Sequence, residues 1–190
     1  MLRDSADFVT EKNIVDDILT ISKLDSNLLL ITPVPVEPVF VVQQALQMFA
    51  VECQKAHQMK LEFHVNETYK NLKVDVVMLD SSRLLQILIN LLTNAIKFTK
   101  GSKVRAIDVS IDAYLEPPSK EEFEFDYFPT QRATSLSDVT SSAEWGDGEV
   151  IYIRFAVKDS GVGLTVEEKN KLFNRFTQAC EEKAIPYFAA

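Results

Sequence analysis

The stretch from Ser81 to Phe98 constrains this chain more than any other. Its positions are mostly apolar, with Arg83, Gln86, Asn90, Thr93, Asn94 and Lys97 as the polar exceptions after the opening serines. At about 100° per residue these six share one narrow sector of a helix, and Asp80 stands where an N-cap belongs. An ordinary solvent stripe would use Glu, Lys and Gln, because Asn and Thr are poor helix formers. Two Asn one turn apart, followed by a Lys, therefore predict groups aimed at a ligand. Leu88, Leu92 and Ile96 lie opposite and predict the face that meets a sheet.

The surrounding pattern supplies that sheet. Leu61, Phe63 and Val65 alternate with Glu62, His64 and Asn66, as in a half-buried strand. Strands are also predicted over residues 28–32, 73–79, 103–114 and 149–158. Helices are predicted over residues 6–26 and from Pro38, suited to a first turn, to about His57. The order predicts an α/β (α+β) two-layer sandwich, with helices on one face of a mixed sheet. Residues 1–27 read as the end of a helical region. Residues 28–178 read as one domain carrying an insertion at 116–148, and 179–190 as a divergent tail. The insertion opens with Pro117-Pro118, is rich in Ser and Thr, and holds eight acidic residues against Lys120 and Arg132. It reads as a long solvated loop.

Composition closes off several function classes. The chain has 190 residues, is 46% hydrophobic and carries a net charge of -8, which argues against nucleic acid as a partner. No apolar run approaches the roughly 20 residues of a membrane span, and the first residues do not read as a signal peptide. A cytoplasmic location is expected. Cys53 and Cys180 fit neither a disulfide framework nor a metal site.

A second chemical signal closes the last strand. Asp159-Ser160-Gly161-Val162-Gly163 is a tight turn in which backbone can approach a ligand. Taken alone, it is also an ordinary turn. Thr165 and Glu168 form a capping box that opens a short helix, and Leu172-Phe173-Asn174-Arg175-Phe176 follows.

Together these segments resemble a known family. Residues 86–99 resemble the N box of sensor histidine kinases, residues 159–163 their first glycine box, and residues 172–176 their F box. Residues 13–26 are similar to the end of the dimerisation helix that precedes the kinase domain. The insertion resembles that of fungal-type hybrid kinases. The resemblance implies the histidine-kinase ATPase fold and a Mg-ATP site. In that site Asn94 and Asn90 hold Mg²⁺, Lys97 meets a phosphate and Asp159 accepts from the adenine amino group. Gly161 and Gly163 let backbone pass the purine, Phe98 lines the pocket, and Arg175 is a further phosphate ligand. Self-dimerisation through the N-terminal helix and a response-regulator receiver domain are the implied protein partners.

Two departures from the pattern shape the expected function. Hydrolytic members of the wider superfamily resemble this fold but carry Glu as a base where this chain has Asn90, which favours phosphotransfer over hydrolysis. Neither His57 nor His64 matches an acceptor histidine, and no second glycine box follows the F box, so a fold incomplete at its C-terminus is expected. The principal reading is part of a hybrid kinase that phosphorylates a protein histidine. The alternatives are a catalytically silent remnant that dimerises or regulates, and a hydrolytic ATPase.

Overall fold

A computed structural model describes residues 30–56, 58–117 and 143–171. The elements run β1 (Val34–Val36), α1 (Pro38–Val51), a π-helical segment (Glu52–Ala56), β2 (Lys60–Val65), α2 (Glu67–Asn71) and β3 (Val77–Leu79). They continue with α3 (Ser81–Thr99), β4 (Ala106–Tyr114), a 3-10 turn (Ala143–Trp145), β5 (Tyr152–Asp159) and α4 (Val166–Lys171). The α/β layout expected from the sequence is thus the one observed.

The main sheet has three strands in the order β2-β4-β5, with β2 parallel and β5 antiparallel to β4. β1 and β3 form a separate antiparallel pair. Ile107, Val109, Ile111 and Ala113 alternate along β4 and are buried. Ile107 and Val109 meet Leu88, Leu92, Ala95 and Ile96 of α3, and Val41, Val42 and Ala45 of α1, whereas Ile111 and Ala113 pack in a second cluster with Tyr69 of α2. Leu88 and Leu92 are at most 1% exposed, so each contributes on the order of 2 kcal/mol by leaving water. The face of α3 expected to meet the sheet does so.

Local chemistry sets the ends of α3. The carboxylate of Asp80 accepts the Arg83 N–H at 3.1 Å, the N-cap bond foreseen in the sequence, and its other oxygen accepts the Thr32 N–H. Pro38 starts α1 at a position where no backbone donor is needed.

Several expectations need correction. The first described strand lies later than the expected 28–32: residues 30–33 have no regular structure, residues 28 and 29 lie outside the described residues, and β1 runs across Pro35. In a two-stranded pair each strand keeps an outer edge, where proline's missing donor costs nothing. The strand expected over residues 73–79 shrinks to Val77–Leu79, because Lys73 turns to φ 50°. The short helix α2 was not anticipated. β4 and β5 start three residues later than expected, and the helix beginning at Pro38 widens into the π-helical segment at Glu52. The helix expected over 6–26, the F box and most of the insertion lie outside the described residues.

Candidate functional site

The C-terminal end of α3 and the turn after β5 meet. Gly161 lies so close to the helix that a side-chain Cβ would fall 2.9 Å from the Phe98 carbonyl oxygen and 2.5 Å from Asp159 Oδ1. Glycine is required at this position by contact, with no need of an unusual dihedral. Gly163 differs: its φ of 67° favours glycine, but open space surrounds it. Sixty-odd residues of sequence thus separate two motifs that share one end of the fold.

The turn has a defined internal geometry. The Gly161 N–H donates to Asp159 Oδ1 at 2.8 Å, leaving the other carboxylate oxygen without a partner among the described residues. Ser160, overlooked in the sequence, ties the turn to β4. Its N–H donates to the Ala106 carbonyl at 3.0 Å. Its hydroxyl accepts the Ala106 N–H at 2.9 Å and donates to the Val104 carbonyl at 2.8 Å. The only sequence signal for this was a hydroxyl residue at a strand end.

On α3 the six-residue polar stripe divides. Arg83 donates to Gln86 at 3.1 Å, and the Thr93 hydroxyl donates back to the Ile89 carbonyl at 2.7 Å. These three residues are occupied by the helix itself, whereas the ligand-directed expectation concerned the two Asn and Lys97. Asn90 and Asn94 are exposed and their amides make no hydrogen bond among the described residues. Lys97 is exposed, its ammonium 5.3 Å from the centre of the half-buried Phe98 ring. Asn90, Asn94, Lys97 and Phe98 therefore lead along one helix to the place where Asp159 and Gly161 arrive. Arg175 lies outside the described residues.

Other polar features lie on the opposite face of the sheet or beside α1. Glu62, His64 and Asp108 cluster where β2 and β4 adjoin, with their ligand-type atoms within 4.8 Å of one another, and Lys60 pairs with Glu62 at 2.8 Å. Leu61, Phe63 and Val65 pack into the core, so His64 points from the opposite face of the sheet, away from α3. A mainly apolar cavity of about 410 Å³ opens between α1 and β2. Cys53 lines it; burial first, and Glu52 beside it, push the thiol pKa up and keep it in its unreactive form. None of the motif residues lines this cavity.

Comparison with known proteins places this geometry. Residues 79–186 match the family described as histidine kinase-, DNA gyrase B-, and HSP90-like ATPase. The match spans α3, the turn after β5 and the sequence beyond. The chain belongs to this ATPase family, as the resemblance to histidine-kinase ATPase domains implied.

Its relatives include hybrid signal transduction histidine kinase K of Dictyostelium discoideum, 28% identical over 87% of this chain and 11% of that protein. Sensor histidine kinase GacS of Pseudomonas protegens is 29% identical, over 87% of this chain and 14% of that protein. The chain thus spans about an eighth of the length of these two relatives. Among solved structures, Acinetobacter baumannii histidine kinase AdeS aligns with a TM-score of 0.43 and 22% identity, over 53% of this chain and 46% of that one. Among the described residues no helix is long and apolar enough to cross a membrane.

Proposed function

We propose that this chain is the nucleotide-binding part of a sensor histidine kinase, holding Mg-ATP for phosphotransfer to a protein histidine in a two-component relay. The observation that carries the reading is the meeting of Gly161 with the Phe98 carbonyl. It brings the unsatisfied oxygen of Asp159 to the same end of α3 as Asn94 and Lys97.

The residues fit the group. Exposed amide oxygens without partners are hard neutral ligands of the kind Mg²⁺ accepts alongside water, so Asn90 and Asn94 would hold it. The ion, when bound, neutralises charge on the triphosphate. Lys97 supplies a further positive charge for a phosphate, its ammonium 5.3 Å from the centre of the Phe98 ring. The free oxygen of Asp159 accepts a hydrogen bond from an exocyclic amino group, as adenine offers. The close backbone at Gly161 leaves that side of the turn clear of a side chain. Asn90 cannot take a proton from water, so that position supplies no hydrolytic base, which favours transfer. Dimerisation through residues 6–26, a receiver domain as phosphoryl acceptor and the part played by Arg175 belong to the same proposal.

Equilibrium binding of Mg-ATP to the chain tests the proposal. Asn94→Ala is expected to abolish Mg-dependent binding while leaving the melting temperature nearly unchanged, since the side chain is exposed. Wild-type affinity in this variant would overturn the assignment.

A further inference from the structure

We infer that Ser160 is a positioning residue for base recognition, acting through its hydroxyl on Asp159; the inference rests on the nucleotide reading above. β4 and β5 are antiparallel, with Asp159 opposite Ile107, so Ser160 comes opposite Ala106. In a regular hydrogen-bonded pair two such residues exchange both backbone bonds. Here only one is backbone to backbone, from the Ser160 N–H to the Ala106 carbonyl. The return bond, from the Ala106 N–H, goes to the Ser160 hydroxyl at 2.9 Å. The hydroxyl then passes its own hydrogen to the Val104 carbonyl at 2.8 Å.

The side chain thus takes the place that the Ser160 carbonyl would hold in a continued ladder. Both capacities of the hydroxyl are used, and the sheet loses no bond. The backbone is released to leave β4 one residue after Asp159 and turn toward α3. There Gly161 packs on the Phe98 carbonyl and returns its N–H to Asp159 Oδ1. Ser160 is therefore the peg between sheet and turn that fixes which carboxylate oxygen is held and which is presented. Alanine would leave a donor on Ala106 and an acceptor on Val104 unpaired, whereas threonine keeps the hydroxyl. A presented acceptor suits the amino group of adenine and opposes the carbonyl that guanine carries at the equivalent place.

The test compares ATP and GTP binding by the chain and its Ser160→Ala, Ser160→Cys and Ser160→Thr variants, with amide hydrogen exchange at Gly161. Ser160→Ala is expected to weaken Mg-ATP binding about tenfold, to lower the preference for ATP over GTP by a similar factor, and to speed exchange at Gly161. Ser160→Cys, close in size but a poor hydrogen-bonding group, should fall in between, and Ser160→Thr should stay within about twofold of wild type. A merely structural role would weaken both nucleotides alike; an unchanged ATP-to-GTP ratio therefore overturns the inference. So does unchanged exchange at Gly161. If the unaltered chain binds no ATP, the nucleotide reading fails, and the exchange result alone decides whether the hydroxyl holds the turn.

Discussion

At the scale of single residues, the site is distinguished by which polar groups have been left without a partner, and where. Asn90 and Asn94 are exposed and have no partner among the described residues, which leaves them available to a ligand. Thr99, two residues past Lys97, is the opposite case: it is 0% exposed and its buried hydroxyl makes no hydrogen bond among the described residues. A buried group in that state carries its desolvation cost unrepaid, on the order of 1–3 kcal/mol. Thr99→Val keeps the shape and removes the hydroxyl. It is expected to leave the thermal midpoint unchanged or raise it by a few degrees, and a clear fall in a melting experiment would reveal a partner for the hydroxyl. The sequence singled out the Asn pair because Asn is out of place in a helix. It did not show that Arg83, Gln86 and Thr93 satisfy one another or their own backbone, since that depends on side-chain rotamers. Ser160 escaped for a related reason: its bonds reach residues 54 and 56 positions away.

At the scale of elements, α2 and the far end of β4 are joined by one buried acid. Asp112 is 3% exposed and accepts from Asn66 at 2.9 Å, from Thr68 at 3.1 Å and from two guanidinium nitrogens of Arg154 at 3.0 and 2.6 Å. Burial works to raise its pKa, but the hydrogen bonds from Arg154, Asn66 and Thr68, with the guanidinium charge, outweigh it and hold the carboxyl below its ordinary 3.8. The contribution to stability is therefore complete above that value and drains away as pH falls through the lower folded-state pKa. Asp112→Ala is expected to cost about 2–4 kcal/mol near neutral pH, and the gap from wild type should narrow in strong acid. Urea titrations at several pH values would measure it; a gap that stays constant into strong acid would count against the ion pair. Nothing in the local sequence announced α2, since five residues between two turns carry too little periodicity. The alternation of β2 was legible because one face of it is packed, and β1 was misplaced because Pro35 looked like an end.

At the scale of the molecule, the motif residues and the core share α3, so binding and folding are coupled. A ligand held only by the folded chain adds stability by mass action, about 2.7 kcal/mol at one hundred times its dissociation constant. Mg-ATP at that excess is expected to raise the melting temperature, EDTA to cancel the rise, and Asn94→Ala to remove it; an equal rise with ATP and EDTA would argue against metal-dependent binding. The family was legible in the sequence because its signals are short and local, whereas the closeness of Gly161 to Phe98 needed the sheet between them. The pairing of β4 with β5 has one more consequence. Asp159 lies opposite Ile107 at one end of the pair, and Tyr152 opposite Tyr114 at the other. Whatever chain joins Tyr114 to Tyr152 leaves and re-enters the sheet roughly 23 Å from Asp159, seven strand steps away. That junction is a place where the polypeptide can grow, shrink or accept a foreign segment over evolutionary time while the Asp159 end of the same two strands stays as it was.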